Sequence, residues 1–434
     1  MELLTKYRSR IREVDPIVRL GRVTRVVGII VESIGPDVQV GEYCLIETGE
    51  GQEPIGAEVV GFRDGRILLM PLAEMDGIKR GSRVIATGGP LKVQVGEALL
   101  GRVVDGLGRP IDGKGPLTGS WRSVNGRAPE PLSREVIDEP LSLGVRAIDG
   151  LLTIGKGQRI GIFAGSGVGK STLIGMIARN CAADVKVIAL VGERGREVKE
   201  FVESQLAAGQ ESVVVAATSD TPPLIRLKAG FTATTIAEYF CNQGADVLLM
   251  MDSVTRLAMA QREIGLSAGE PPTTRGYTPS MFSLLPKLME RAGKAERGSI
   301  TGIYTVLVEG DDFNEPVSDT ARGILDGHIV LTRRLAEQGH FPAIDVLASI
   351  SRLMPKLVSK EHLVNARKVV KLLAAYREVE DLIQVGAYKP GNNPETDLAV
   401  EMYGPLNGFL QQDQEEAIPF EETYQQLQAL VGHL

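Results

Sequence analysis

The stretch Arg159-Ile160-Gly161-Ile162-Phe163-Ala164-Gly165-Ser166-Gly167-Val168-Gly169-Lys170-Ser171 decides the fold. A short apolar run of strand character enters a glycine-rich turn, and Thr172-Leu173-Ile174-Gly175-Met176-Ile177-Ala178 leaves it as a helix. Gly165, Gly167 and Gly169 let consecutive N–H groups turn inward with no Cβ in the way, a nest for phosphate oxygens. Lys170 adds a point charge, Ser171 offers a hydroxyl to Mg²⁺, and the helix that Thr172 continues favours anions at its N-terminus. The expected nucleotide-binding set is therefore Gly165, Ser166, Gly167, Val168, Gly169, Lys170, Ser171 and Thr172. Ala164 stands at the first position of the pattern G-x-x-x-x-G-K-[ST], a mild departure because alanine is the next smallest residue. A glycine-rich turn before a buried helix is the competing reading, but it gives no reason for strand, loop, Lys-Ser and helix to follow in this order. The order implies a nucleotide hydrolase or a nucleotide-gated switch.

The chain of 434 residues exceeds one ordinary core, so two or three domains are expected. Hydrophobic residues at 43% and charged residues at 24% describe a soluble globular protein. A net charge of -7 leaves no overall electrostatic footprint for nucleic acid and argues against a helicase. Cys44, Cys181 and Cys241 are odd in number, lack metal-ligand spacing and suit a reducing cytoplasm as buried small apolar residues. Residues 1–12 mix charge with apolar side chains, so no signal peptide is expected. No apolar run approaches eighteen residues, and a membrane role would have to come through partners.

Residues 1–18 set Leu3, Leu4, Tyr7, Ile11 and Val14 against Lys6, Arg8, Arg10 and Arg12. They read either as an amphipathic segment that docks on a partner or as a simple packing helix. From 19 to 90, β runs at 23–32, 43–47, 55–62 and 66–70 are bounded by Gly, Pro or Asp and predict a small closed β-barrel serving assembly. A turn-rich connector covers about 93–140. The region 91–352 then alternates helices with continuous apolar strands at 185–191, 212–217, 247–251 and 300–308, a parallel sheet covered on both faces and so a doubly wound α/β domain. The last region, 353–434, is helical: 361–384 carries Leu363, Val370, Leu373 and Ala374 on one face, a loop follows at 390–394, and Pro419 interrupts the remainder.

Phosphoryl transfer to water needs a placed metal, an aligned water and compensating positive charge. The apolar strand 247–251 ends in Asp252, a carboxylate at the ligand-bearing edge of the sheet where it can hold the water shell of Mg²⁺. Val191-Gly192-Glu193-Arg194-Gly195-Arg196-Glu197 also follows a core strand. There Glu193 is placed to orient or deprotonate the attacking water, and Arg194 to contact the γ-phosphate; a solvated salt-bridge cluster at a helix start is the alternative.

Together with the phosphate loop and 192–197, the stretches Met250-Met251-Asp252-Ser253-Val254-Thr255-Arg256 and Ser349-Ile350-Ser351-Arg352 resemble the rotary-ATPase catalytic-subunit family, and within it the branch that drives flagellar type III protein export. The resemblance runs from barrel to C-terminus and implies a RecA-like ATPase domain with ATP and Mg²⁺ as cofactors. It implies Lys170 and Ser171 at phosphate and metal, Glu193 as catalytic carboxylate, Arg194 near the γ-phosphate, Asp252 at the metal shell, and Phe341 against adenine. Arg352 matches an arginine finger inserted by a neighbouring subunit. One chain bearing both loop and finger favours a homohexamer. The partners so implied are a regulator or stator on the N-terminal segment, a central stalk-like export protein, the export gate and chaperone–substrate complexes. Nucleic acid is not expected, and the location is cytoplasmic, peripheral to the inner membrane through partners.

Residues 385–397 replace the acidic run that rotary synthase β subunits carry between C-terminal helices, which counts against proton-driven synthesis. The segments 261–264, 270–279 and 308–316 look like the export branch and are expected at the subunit interface and central pore. Virulence secretion remains an alternative to flagellar export. A rotary proton-translocating subunit and a nucleic-acid translocase ring remain as well, although the latter needs exposed aromatics and basic residues that the barrel does not enrich.

Overall fold

Glycine punctuation and short apolar runs build the first unit. In the computed structural model, described here for residues 19–432 except 50, 208–210, 309–311 and 392, strands β1 (Leu20–Val27), β2 (Ile30–Ile34), β3 (Tyr43–Ile46), β4 (Ile55–Arg63), β5 (Arg66–Pro71) and β6 (Arg83–Ala86) close a barrel in the order β1-β2-β5-β4-β3-β6. The expected docking segment at 1–18 lies outside the described residues, as do 309–311 of the expected pore segment. The run 23–32, expected as one strand, is a hairpin: Val27 pairs with Ile30, and Gly28 takes φ 56 in the turn between them. Residues 26–31 are apolar on both sides of Gly28, so only the left-handed glycine marks the reversal. Strand β6, which the sequence reading missed, pairs with both β1 and β3 and closes the cylinder over Val23, Val31, Ile46, Leu69 and Val84.

The turn-rich connector is more than a link. Strands β7 (Lys92–Val95) and β9 (Ser120–Ser123) form their own antiparallel pair, while β8 (Val103–Asp105) joins the main sheet as a parallel edge strand. A second small ribbon of β10 (Pro140–Leu141) and β11 (Ile154–Gly155) flanks helix α1 (Arg146–Leu151).

The main sheet adds β12 (Arg159–Ala164), β13 (Val185–Glu193), β14 (Ser212–Thr218), β15 (Asp246–Asp252), β17 (Ser299–Leu307), β18 (Gly327–Leu331) and the two-residue β19 (Ile350–Ser351) in the order β19-β18-β12-β17-β15-β13-β14-β8, with β16 (Gly293–Lys294) beside β17. All nine residues of β13 are buried. Alternate residues of the strands feed two separate cores, as the period of two requires. Val187, Ala189, Leu249 and Met251 face helices α4 (Pro223–Asn242) and α5 (Val254–Ala268), whereas Ile188, Leu190, Leu248 and Met250 share a core with α2 (Lys170–Asn180). Helix α3 (Gly195–Ala207) follows β13, and α6 (Pro279–Met289), α7 (Pro316–Ile324) and the short α8 (Arg333–Glu337) complete the domain. Helices α9 (Met354–Leu357), α10 (Lys360–Gln384), α11 (Pro394–Leu410) and α12 (Phe420–Gly432) form the C-terminal unit, whose Val369 and Leu406 join the α2 core. The three-part α/β architecture is the one expected.

A buried ion pair ties the barrel to the sheet domain: Lys228 Nζ of α4 lies 2.5 Å from Glu58 Oε2 of β4. Lys228→Met is expected to destabilise the protein by about 3–5 kcal/mol, because it strands the Glu58 charge. Adding Glu58→Leu should recover much of that loss in a denaturant titration; a double variant no more stable than the single one would refute the pairing.

Candidate active site

Strand β12 ends at Ala164, residues 165–169 turn, and α2 starts at Lys170. Ala164 is extended and buried, in register with Leu307 and Leu331 of the flanking strands, so its methyl packs in the sheet and needs no glycine. The requirement falls on Gly167 at φ 78 and Gly169 at φ 90, left-handed positions that a side chain disfavours. Gly169 precedes α2 with no side-chain cap, which leaves the first-turn N–H groups free for an anion.

Non-sequential strand order then assembles the charges. Asp252 closes β15 and Glu193 closes β13, and Lys170 reaches both: its Nζ contacts Asp252 Oδ1 and lies 3.8 Å from Glu193 Oε1. The Thr305 hydroxyl donates to Asp252 Oδ1 at 2.7 Å. Arg256, on the first turn of α5, sets its Nε 3.3 Å from Glu193 Oε1. Gly192 makes room for it, since a Cβ there would stand 2.8 Å from Arg256 Cδ. Burial and, after it, the negative charge of Asp252 push the Glu193 carboxyl above its ordinary value, against the opposing pull of Lys170 and Arg256. A carboxylate with a raised proton affinity is a better acceptor for the proton of an attacking water than a free one.

Arg194 lies at the rim with its side chain 81% exposed, 3.8 Å from Glu197. It borders a cleft of about 610 Å³ together with the phosphate loop, Glu193, Arg256 and Arg333. Neither Arg256 nor Arg333 carries an assigned role in the sequence; the Arg333 Nη2 lies 3.4 Å from the Ser166 carbonyl. The available signal for Arg256 was its place four residues after Asp252, one turn into a helix that Ser253 caps.

Phe341 is 44% exposed, and its ring lies 3.5 Å from where a Gly169 Cβ would stand. It shares a hollow of about 350 Å³ with Thr172, Met176 and Gln412 to Gln414. Those C-terminal residues belong to the turn between α11 and α12, and Gln412 N donates to the Phe341 carbonyl at 3.0 Å. An aromatic face, an apolar floor and amide groups are suited to a purine, and the contribution from 412–414 was not legible in the sequence.

Ser171, Glu193 and Asp252 line a common cavity of about 270 Å³. Among the described residues no cluster of three or more His, Cys, Asp or Glu side chains is disposed to hold a metal by itself. The Ser171 hydroxyl and the Asp252 carboxylate are hard oxygen donors that would suit Mg²⁺ beside phosphate oxygens and water, with Glu193 left free for the attacking water. The residues therefore fit a metal arriving with a nucleotide.

Arg352 is elsewhere. Strand β19 runs antiparallel to β18, Arg352 N donates to the Asp326 carbonyl at 3.0 Å, and Asp326 N donates to the Arg159 carbonyl at 2.8 Å. Arg352 is thus level with the first residue of β12, whereas the phosphate loop follows the last. Five strand steps separate the two levels by about 16 Å. Within one chain, Arg352 and the loop occupy opposite ends of the sheet.

All three cysteines are free and buried, and no helix among the described residues is long and apolar enough to cross a membrane. The nucleotide-binding domain of the ATP synthase alpha/beta family matches residues 144–351, the beta-barrel domain of that family matches 23–88, and the T3SS EscN ATPase C-terminal domain matches 358–429. A Bacillus subtilis (strain 168) protein named flagellum-specific ATP synthase is 56% identical over 423 residues, 96% of this chain and 97% of that one. The assembled ATPase EscN from the type III secretion system of enteropathogenic E. coli superposes with a TM-score of 0.89 at 49% identity, covering 95% of this chain and all (100%) of that one. A second structure, EscN with its central stalk EscO, gives a TM-score of 0.87 at 48% identity, over 95% of this chain and 100% of that chain.

Proposed function

Because this chain belongs to the ATP synthase α/β family, in the branch of flagellum-specific and type III secretion ATPases, we propose that it hydrolyses ATP in a homohexameric ring to serve flagellar type III protein export. The observation that carries the reading is Lys170 held between Asp252 and Glu193 at the foot of the phosphate loop.

In this mechanism the loop N–H groups and the start of α2 bind the β- and γ-phosphates and Lys170 moves onto them. Ser171 and Asp252 would hold Mg²⁺, which when bound would neutralise charge on the phosphate oxygens. Glu193, steadied by Arg256, orients the attacking water and takes its proton. Arg194 closes on the γ-phosphate from the rim, and Arg352 of the neighbouring subunit compensates the transition-state charge. Phe341 and the turn 412–414 hold adenine, so the C-terminal unit senses occupancy of the site.

Residues 19–90 serve assembly, 91–352 catalysis and 353–434 contacts with cargo complexes. EscN is described with a central stalk, and a stalk-like protein in the pore of this ring is the corresponding partner. The segment 1–18 would bind a regulator or stator, and the ring would work in the cytoplasm at the export gate, releasing chaperones and unfolding cargo. Virulence secretion is the second reading, favoured by the EscN-type C-terminal match.

The test is gene deletion in the source cell. Reintroducing the native gene should restore flagellar filaments, and Lys170→Ala, which should also abolish ATP turnover by the purified protein, should not. Restored effector secretion without any filament defect would overturn the flagellar assignment.

A further inference from the structure

The finger arginine sits directly after β19, a two-residue strand at the sheet edge that pairs with β18 only through Gly327↔Ser351 and His328↔Ile350. So short a strand fixes little by itself, and its hold is supplied from behind by buried polar side chains. Gln158, fully buried just before β12, donates from Nε2 to Ser351 Oγ at 3.1 Å and to the Asp326 carbonyl at 3.3 Å, while its Oε1 accepts from Gly155 N at 2.8 Å. Ser351 Oγ in turn donates to the Thr153 carbonyl at 2.8 Å. The same Asp326 carbonyl accepts from Arg352 N, and the Asp326 carboxylate accepts from Arg159 N at 3.0 Å and Nε at 3.1 Å. Gly327 permits the close approach, since a Cβ there would meet the Ile350 carbonyl at 2.3 Å. The Arg352 side chain is exposed, and its Nη2 lies 3.4 Å from the Arg322 carbonyl.

We propose that Gln158, acting through Ser351 and Asp326, is a positioning residue for the arginine finger: it sets the finger that its own subunit presents to the next subunit's phosphate site. The inference rests on the reading of Arg352 as a finger acting between subunits. Gln158 also stands at the start of the strand that launches its own phosphate loop. Its effect could therefore fall on either half of the shared site, and mixed rings tell the halves apart.

Gln158→Met should lower kcat roughly 10²-fold, the scale of a small misplacement of a catalytic group, and leave binding of a fluorescent ATP analogue unchanged. Ser351→Ala, a milder change at the same contact, should show a smaller loss of the same kind. Mixed with Glu193→Gln subunits, Gln158→Met subunits should recover turnover, because their own Glu193 meets a sound finger. Mixed with Arg352→Ala subunits they should not, because every finger is then defective. The reverse pattern would place the effect on the phosphate loop, and rescue by neither would show general damage; either overturns the proposal, as does unchanged kcat in both variants. If Glu193→Gln and Arg352→Ala subunits fail to rescue one another, the finger reading itself falls and takes this inference with it.

Discussion

Arg352→Ala is expected to lower kcat by about 10³–10⁵-fold, the range that a transition-state arginine supplies in phosphoryl transfer, while nucleotide affinity changes little. The expectation comes from a separation: Arg352 lies about 16 Å along the strand direction from the loop of its own chain, and its exposed guanidinium forms no ion pair among the described residues, its Nη2 lying 3.4 Å from the Arg322 carbonyl. A group so placed can act on phosphate only where another copy brings its loop alongside. Mixing inactive Arg352→Ala with inactive Glu193→Gln subunits should therefore restore part of the turnover, since some interfaces combine an intact Glu193 with an intact finger. No rescue at any mixing ratio would show that the site is not shared between subunits.

Glu193→Gln should lower kcat by about 10²–10⁴-fold, because glutamine keeps the shape and the contact with Arg256 but cannot take a proton from water. The pH dependence carries a second test. In the proposed mechanism Glu193 acts as the carboxylate, and burial together with Asp252 raises its affinity for a proton. Its active fraction is thus lost as pH falls through a value above its ordinary one and regained as pH rises. The acid limb of kcat/KM should lie above about 4.3, the ordinary glutamate value. Arg256→Gln removes one of the charges that oppose the shift and should move that limb to higher pH. A limb at the ordinary value in the native enzyme, or Glu193→Gln turnover within tenfold of native, would dismiss Glu193 as the base.

The legible parts of the site were those written in consecutive residues. Gly165 to Ser171 could be read as a phosphate loop because glycine conformations, a lysine and a helix start are local properties. Asp252 and Glu193 could be read because each closes an apolar strand, and such strands in a parallel sheet end at the ligand-bearing edge. Arg256, Arg333 and the turn at 412–414 were not found from their spacing, because nothing local to those residues says what faces them. The hairpin at Gly28 was hidden for a related reason: with apolar residues on both sides of the turn, periodicity carries no boundary.

The sequence by itself determined the chemistry available: a phosphate nest, two carboxylates at strand ends, an aromatic ring and arginines, arranged in a barrel, a doubly wound sheet and a helical end. Tertiary structure decided which of these meet. The order β12-β17-β15-β13 brings Lys170, Asp252 and Glu193 together although 82 residues separate the first two, and the antiparallel turn into β19 carries Arg352 to the opposite end. Backbone conformation at a glycine is fixed within a few residues, whereas the neighbours of a strand are fixed by packing over the whole sheet, so only the folded chain shows that Arg352 and the phosphate loop of one chain lie at opposite ends of that sheet.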